Sequence, residues 1–283
     1  MKADAILVLG STGKTGRRVA ERLTARGADV RHGSRAGTPP FDWRDRATWA
    51  PSLKGVKAVY ISYFPDLAVE GAADDIQAFT HLAVQSGVRR LVLLSGRGET
   101  EAQRCEAIVR ESGVEWTLLR ASWFAQNFSE AHFLAPILEG ELALPVGDIG
   151  EPFVDADDIA DVAAAALTDD GHAGRLYELT GPRLWTFADA VAQIASATGR
   201  PIRFTRVTMP EYVAALEAAQ LPPDVIALIR YLFTEVLDGR NASVQDGVLR
   251  ALGRRPREFG DYVRATAATG VWTPGVEDSA PSF

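Results

Sequence analysis

A chain of 283 residues, 47% hydrophobic and 24% charged, is long enough for one large α/β domain or for a domain with a smaller appendage. A net charge of −7 without a long basic run argues against a nucleic-acid surface, and no apolar run nears the ~18 residues that cross a bilayer. The single cysteine, Cys105, excludes a disulfide framework. His32, His81, His132 and His172 lack ligand spacing, so no metal site is expected. The amino terminus leads into a strand without a secretory signal, which sets a cytoplasmic expectation.

The first apolar run, Ile6 to Leu9, leads into GSTGKTG at 10–16 and then into the helical pattern Val19, Ala20, Leu23. A triphosphate-binding loop needs a glycine five residues before the glycine of its Gly-Lys-Thr. That position is Val8, inside the strand. The stretch therefore reads as a dinucleotide-binding turn of the Rossmann type. Gly10 gives the tight exit, Gly13 the close approach to a pyrophosphate, and Gly16 the close packing of helix on sheet. Thr12, Lys14 and Thr15 stand between them, where the first helical amides face the pyrophosphate.

Strand-like runs recur at Asp29 to Ser34, Ala58 to Tyr63, Leu91 to Ser95 and Trp116 to Arg120, with helical patterns at Gly71 to Ser86 and Glu101 to Ser112. This alternation predicts a doubly wound parallel sheet. The stretch ASWFAQNFSEAHFLAPILEG reads as irregular, aromatic-rich helix reaching over the strand ends. In EPFVDADDIADVAAAALTD, the acids Asp155, Asp157 and Asp158 read as caps of a helix start. RLYELTG reads as a further strand, Trp185 to Thr269 as mainly helical, and TPGVEDSAPSF as a frayed end. The expected architecture is an α/β Rossmann-type doubly wound sheet over 1–180 and a smaller, mainly helical substrate portion over 181–283, with 121–149 contributing to the cleft.

The end of the second strand bears on cofactor choice. An NAD-preferring site places Asp or Glu there to bind the ribose hydroxyls, whereas this chain has Ser34 and Arg35, and Asp29 comes too early. A guanidinium grips a 2′-phosphate in bidentate fashion, so NADP(H) is the expected cofactor. Lys14 and Arg31 are secondary candidates for the same phosphate.

Taken together, GSTGKTGRRV, GVRRLVLLS, SGVEWTLLRASWFAQNF, DADDIADVAAAAL and YELTGP resemble the NmrA-like group of atypical short-chain dehydrogenases, from roughly Ala5 to Asp261. Within that group FDWRDRATW and WFAQNFSE are similar to ergot-alkaloid reductases of the festuclavine dehydrogenase type, and the layout also resembles NAD(P)H:quinone oxidoreductases. The resemblance implies that Phe64, Ser95, Trp123 and Asn127 lie near the nicotinamide, with Tyr63 and Ser95 as the nearest hydroxyls.

One feature of ordinary short-chain dehydrogenases is missing. No tyrosine, at 60, 63, 177, 212, 231 or 262, is followed four residues later by lysine, and no lysine follows Lys57. The later-helix lysine of isoflavone-reductase relatives is absent too. Losing a general acid costs roughly 10²- to 10⁴-fold in rate, about 3 to 5 kcal/mol. An iminium already carries the charge an acid would supply, and a quinone delocalises its oxyanion. The first reading is thus an NADPH-dependent oxidoreductase moving hydride to an iminium, quinone or enone in a small apolar or aromatic substrate, with no nucleic acid or membrane partner and a homodimer allowed. The alternative is a catalytically silent NADP(H) sensor that docks on a protein partner.

Overall fold

The structure, a computed structural model, describes residues 5–275. In chain order its elements are β1 (Ala5–Leu9), α1 (Lys14–Ala25), β2 (Val30–Gly33), α2 (Trp49–Leu53), β3 (Val56–Ile61), α3 (Ala72–Gln85), β4 (Arg90–Gly96), α4 (Thr100–Arg110), β5 (Glu115–Ala121), α5 (Leu134–Glu139), β6 (Glu141–Leu144), α6 (Ala156–Thr168), β7 (Arg175–Leu179), α7 (Phe187–Thr198), β8 (Arg203–Arg206), α8 (Met209–Ala218), α9 (Pro223–Tyr231), α10 (Gly247–Leu252) and α11 (Phe259–Ala268). The tail expected to fray lies outside the described residues from 276 onward.

These elements form two compact units. One takes the chain up to Ser122, Ala156–Thr180 and Val244–Pro256; the other takes Trp123–Asp155, Gly181–Ser243 and the chain from Arg257. The chain therefore passes repeatedly from one unit to the other; the sequence predicts 1–180 and 181–283, with 121–149 contributing to the cleft.

In the first unit, six strands among the described residues form a parallel sheet in the order β2-β1-β3-β4-β5-β7. The strands form where branched and leucine side chains run without a polar break, because both faces are covered. All five residues of β1 are buried. α1 turns Val19, Ala20 and Leu23 inward, the i, i+1, i+4 spacing of one helix face. Since β2 and β3 lie on opposite sides of β1, strand order reverses there. Ligands of such sheets bind beyond the carboxyl ends of the strands at this reversal.

The FDWRDRATW stretch is a packing element. Phe41, Trp43 and Trp49 are buried and meet Phe79 of α3 edge to face, with centroids 5.2 to 5.7 Å apart. Trp43 Nε1 donates to the Ser62 carbonyl at 3.0 Å, which pins the chain leaving β3. The acids at the start of α6, expected from the sequence as caps, make ion pairs to other elements. Asp157 pairs with Arg18 and Arg22, Asp161 with Arg22 at 2.8 Å, and the wholly buried Asp158 with Arg254 at 2.7 Å. They fasten α6 to α1 and to the segment after α10.

The second unit is built around packed aromatics, including Phe128, Phe133, Phe153, Phe187 and Phe259. Its helices α7 and α8 begin with capping boxes, Thr186 with Asp189 and Thr208 with Glu211, which satisfy amides that would otherwise be orphaned. The region expected to be helical also contributes β8, which pairs in parallel with β6. Arg200 donates to the Ile137 and Leu138 carbonyls as α5 ends, and to Trp272, a cation where the helix dipole is negative.

Candidate functional site

The glycine turn lies at the strand reversal, and each glycine has a distinct duty. Gly10 takes φ +64°, and a Cβ there would reach Ser62 Cβ and Oγ at 3.4 Å. Gly13 donates to the Gly10 carbonyl at 2.8 Å and precedes α1 with no side-chain cap. At Gly16 a Cβ would stand 2.1 Å from the Gly10 carbonyl oxygen, so α1 packs on the strand exit only because position 16 has no side chain. The first turn of α1 holds no acid, leaving a start suited to anions.

The residues fit a dinucleotide. Among the described residues, the Ser11 hydroxyl is buried with no hydrogen-bond partner, and buried polar groups of this kind ordinarily have one. A groove of about 550 Å³ is lined by Ser11, Thr12, His32, Ser34, Gly37 and Thr38 together with Arg31. Gly33 ends β2 where a Cβ would meet Leu9 Cδ2 at 2.7 Å, and the Ser34 carbonyl accepts from Gly37 and Phe41 at 2.9 Å. A tight turn thus carries Ser34 and Arg35 past the strand end.

The three cations expected at a 2′-phosphate part company. Arg35 is exposed and has no ion-pair or hydrogen-bond partner among the described residues. Arg31, by contrast, donates to the Ser52 and Lys54 carbonyls at 2.8 and 2.7 Å. Its guanidinium closes the end of α2 through Nη1, while the residue also lines the groove. Lys14 opens α1, half-buried, and its carbonyl accepts from Arg18; Thr12 is exposed and Thr15 buried beside it.

Both expected hydroxyls donate to carboxylates. Tyr63 donates to Asp75 Oδ2 at 2.9 Å, while Arg46 holds the other oxygen at 2.7 Å. Burial, then the hydrogen bond and charge of Asp75, push the Tyr63 phenol well above its ordinary range. Ser95, buried at the end of β4, donates to Glu106 Oε1 at 2.7 Å. Glu106, wholly buried on α4, takes Arg120 of β5 at 2.5 and 2.9 Å, and Arg120 reaches Glu178 of β7 at 3.1 Å. This network ties three strands to α4 beneath the carboxyl edge. Phe64, which follows Tyr63, is 66% exposed, a large ring left facing outward beyond β3.

Trp123 and Asn127 belong to the second unit. The Trp123 ring stacks on Phe133 at 6.3 Å and meets Phe187 and Phe233 at 5.8 and 5.4 Å. A π-helical turn at Leu232–Val236 carries Phe233, which also meets Tyr212. Asn127 sits in the short 3-10 turn Ala125–Phe128.

Sequence pattern does not single out Ser11, Gly33 or Ser62, and marks Trp43 only within the FDWRDRATW resemblance. Ser11 stands inside the glycine motif, and Gly33 directly precedes Ser34, so both carried a local signal. The contact of Trp43 with Ser62 carried none.

Residues 10–170 match the model of a family described as NAD(P)H-binding. The chain is 33% identical to an uncharacterized oxidoreductase, YesF, of Bacillus subtilis (strain 168), over 96% of this chain and 99% of that protein. It is 30% identical to the agroclavine dehydrogenase of Claviceps fusiformis, over 91% and 96%. Among solved structures, an NADPH-dependent quinone oxidoreductase of Escherichia coli complexed with NADPH shares the fold with a TM-score of 0.73 at 23% identity, covering 92% of this chain and 98% of that one.

Proposed function

The chain belongs to the NAD(P)H-binding family, and from that premise we propose that it is an NADPH-dependent reductase delivering hydride to a flat, apolar acceptor of the iminium, quinone or enone class. Bound NADPH supplies the hydride. The protein's part is to hold and orient. The amides opening α1, with Gly13, Thr12, Lys14 and Thr15 around them, hold the pyrophosphate, and Ser34 with Arg35 holds the 2′-phosphate. Phe64 offers its exposed ring as an apolar surface at the same edge.

The observation that carries this reading is the state of Tyr63 and Ser95, whose hydroxyls donate to the carboxylates of Asp75 and Glu106. A phenol pushed upward beside a carboxylate is a weak acid at neutral pH. That favours acceptors needing no strong protein acid over ordinary ketones. The relatives named as oxidoreductase and dehydrogenase support oxidoreduction as the class.

The test is NADPH oxidation, followed by absorbance, with a panel holding a cyclic iminium, a quinone, an enone and a plain ketone. Turnover of one or more of the first three, with the ketone at least ~100-fold slower, is the expected result. Tight NADPH binding with no turnover on the panel would refute the reductase reading in favour of a silent NADP(H) sensor.

A further inference from the structure

The groove along the outer strand of the sheet holds an imidazole that the proposed reaction leaves unused. β2 pairs only with β1. The groove of about 550 Å³ beside it joins the glycine turn, at Ser11 and Thr12, to the exit of β2, at His32, Ser34 and Thr38. Gly37 sets the wall beyond the strand, because a Cβ there would stand 2.4 Å from the His32 carbonyl oxygen and 3.1 Å from that of Ser34. The turn folds back on β2 in space that only glycine leaves open, and brings Thr38 into the groove with His32.

The groove is rich in hydroxyls and short of uncommitted charge. Ser11 is 6% exposed, and its hydroxyl has no partner among the described residues. The exposed His32 ring has none either. Successive side chains of a strand leave opposite faces, so His32 is turned away from the Ser52 and Lys54 carbonyls that hold Arg31 Nη1. Asp29 lines the end of the groove where β2 begins, and β1 contributes only Ala5. From α1, Arg18 and Arg22 pair with acids of α6, and Lys14, Arg17 and Glu21 do not line the groove. Arg35 follows Ser34 and is exposed. Four hydroxyls suit the oxygens of a phosphate, and the imidazole adds a positive charge only while both of its nitrogens carry protons.

We propose that His32 is a specificity-determining residue, whose imidazolium binds the 2′-phosphate beside Ser34 and Arg35 and makes the preference for NADP(H) over NAD(H) depend on pH. This rests on the dinucleotide reading given above.

An imidazole changes charge between about pH 5 and pH 8, whereas the guanidinium of Arg35 stays charged throughout. A phosphate beside the ring favours its charged form, so the contribution of the ring is complete at acid pH and is lost as pH rises through this range. The 2′-phosphate gains its second charge near about pH 6, which acts the other way. That change is common to every variant and cancels when proteins are compared at one pH.

The experiment titrates NADP⁺ and NAD⁺ calorimetrically into wild type, His32→Gln and His32→Arg, from about pH 5.5 to about pH 8.5 across the imidazole range. The readout is the ratio of the two affinities, since NAD⁺ lacks the phosphate and corrects for changes elsewhere in the site. At the acid end His32→Gln is expected to show a ratio roughly tenfold below wild type, the low end for a hydrogen bond to a charged group. At the alkaline end it should match wild type within about twofold, because the ring is neutral there. His32→Arg keeps its charge, so its ratio should match wild type at the acid end and exceed it roughly tenfold at the alkaline end. A wild-type ratio in His32→Gln at acid pH, or a deficit of one size at every pH, would overturn the proposal. The first result removes His32 from the phosphate, and the second leaves it a neutral contact. The two substitutions probe the charge from opposite directions, so either decides the matter if the other does not fold. Failure of wild type to bind either dinucleotide would sink the dinucleotide reading and the role of His32 with it. Binding of both with a ratio indifferent to residue 32 would sink the role of His32 alone.

Discussion

Gly16→Ala separates two physical effects of opposite sign. Position 16 lies in the first turn of α1, and in a helix alanine is favoured over glycine by about 0.8 to 1 kcal/mol. Propensity alone therefore predicts a more stable protein. The structure predicts the reverse, because the new Cβ would stand 2.1 Å from the Gly10 carbonyl oxygen, 2.6 Å from its carbon and 3.0 Å from the Ser11 nitrogen. All three are backbone atoms, so no side chain can swing aside. Relief needs α1 to recede by about 1 Å, and overpacking of this kind costs about 1 to 3 kcal/mol. The same retreat draws the first amides of α1 away from a bound pyrophosphate, and misplacement by ~1 Å can cost ~10²-fold. Calorimetric titration with NADPH and thermal melting of the free protein measure both effects. A variant that melts at or above wild type and binds NADPH equally well would refute the close-packing argument and move the site away from this turn.

Arg35→Ala should weaken NADPH by about 1.5 kcal/mol, the low end for a hydrogen bond to a charged group because the guanidinium is exposed and screened, and should leave NADH untouched; paired titrations at low and high salt check both points, and equal losses for the two cofactors would place Arg35 elsewhere. Tyr63→Phe and Ser95→Ala should each reduce iminium turnover by less than ~10-fold, short of the 10²- to 10⁴-fold loss of a general acid. Ser95→Ala should also lower stability by about 1 to 3 kcal/mol, since the buried Glu106 loses a donor, which denaturant melting would reveal. Trp123→Ala should lower turnover by ~10²-fold with NADPH affinity intact if the ring positions the acceptor, whereas loss of the fold together with turnover would assign the ring to the aromatic core alone.

The residues that were legible in the sequence share a property: their signals are local. The glycines at 10, 13 and 16 act within one strand exit and one helix start, and the strands show as apolar runs because both faces of a parallel sheet are covered. The residues that were not legible act across distance. Arg31 and Arg35 are both arginines near the end of one strand, yet one closes α2 and the other is exposed. Nothing in their neighbours tells them apart. Trp43 and Trp49 read as marks of a resemblance and prove to be core, because buried indoles and binding indoles look alike until their surroundings are known.

By itself the sequence determined the parallel sheet, the dinucleotide turn at its first strand, the lack of an acid after β2 and the lack of a lysine after any tyrosine, since each follows from residue type at a fixed short spacing. Only the tertiary structure decided which hydroxyl meets which carboxylate. Ser95 meets Glu106 and Tyr63 meets Asp75 across a strand and a helix. Such pairs form when the sheet aligns strand ends that are distant along the chain. Their chemistry depends on the burial and charge created at that alignment, which no spacing in the chain encodes.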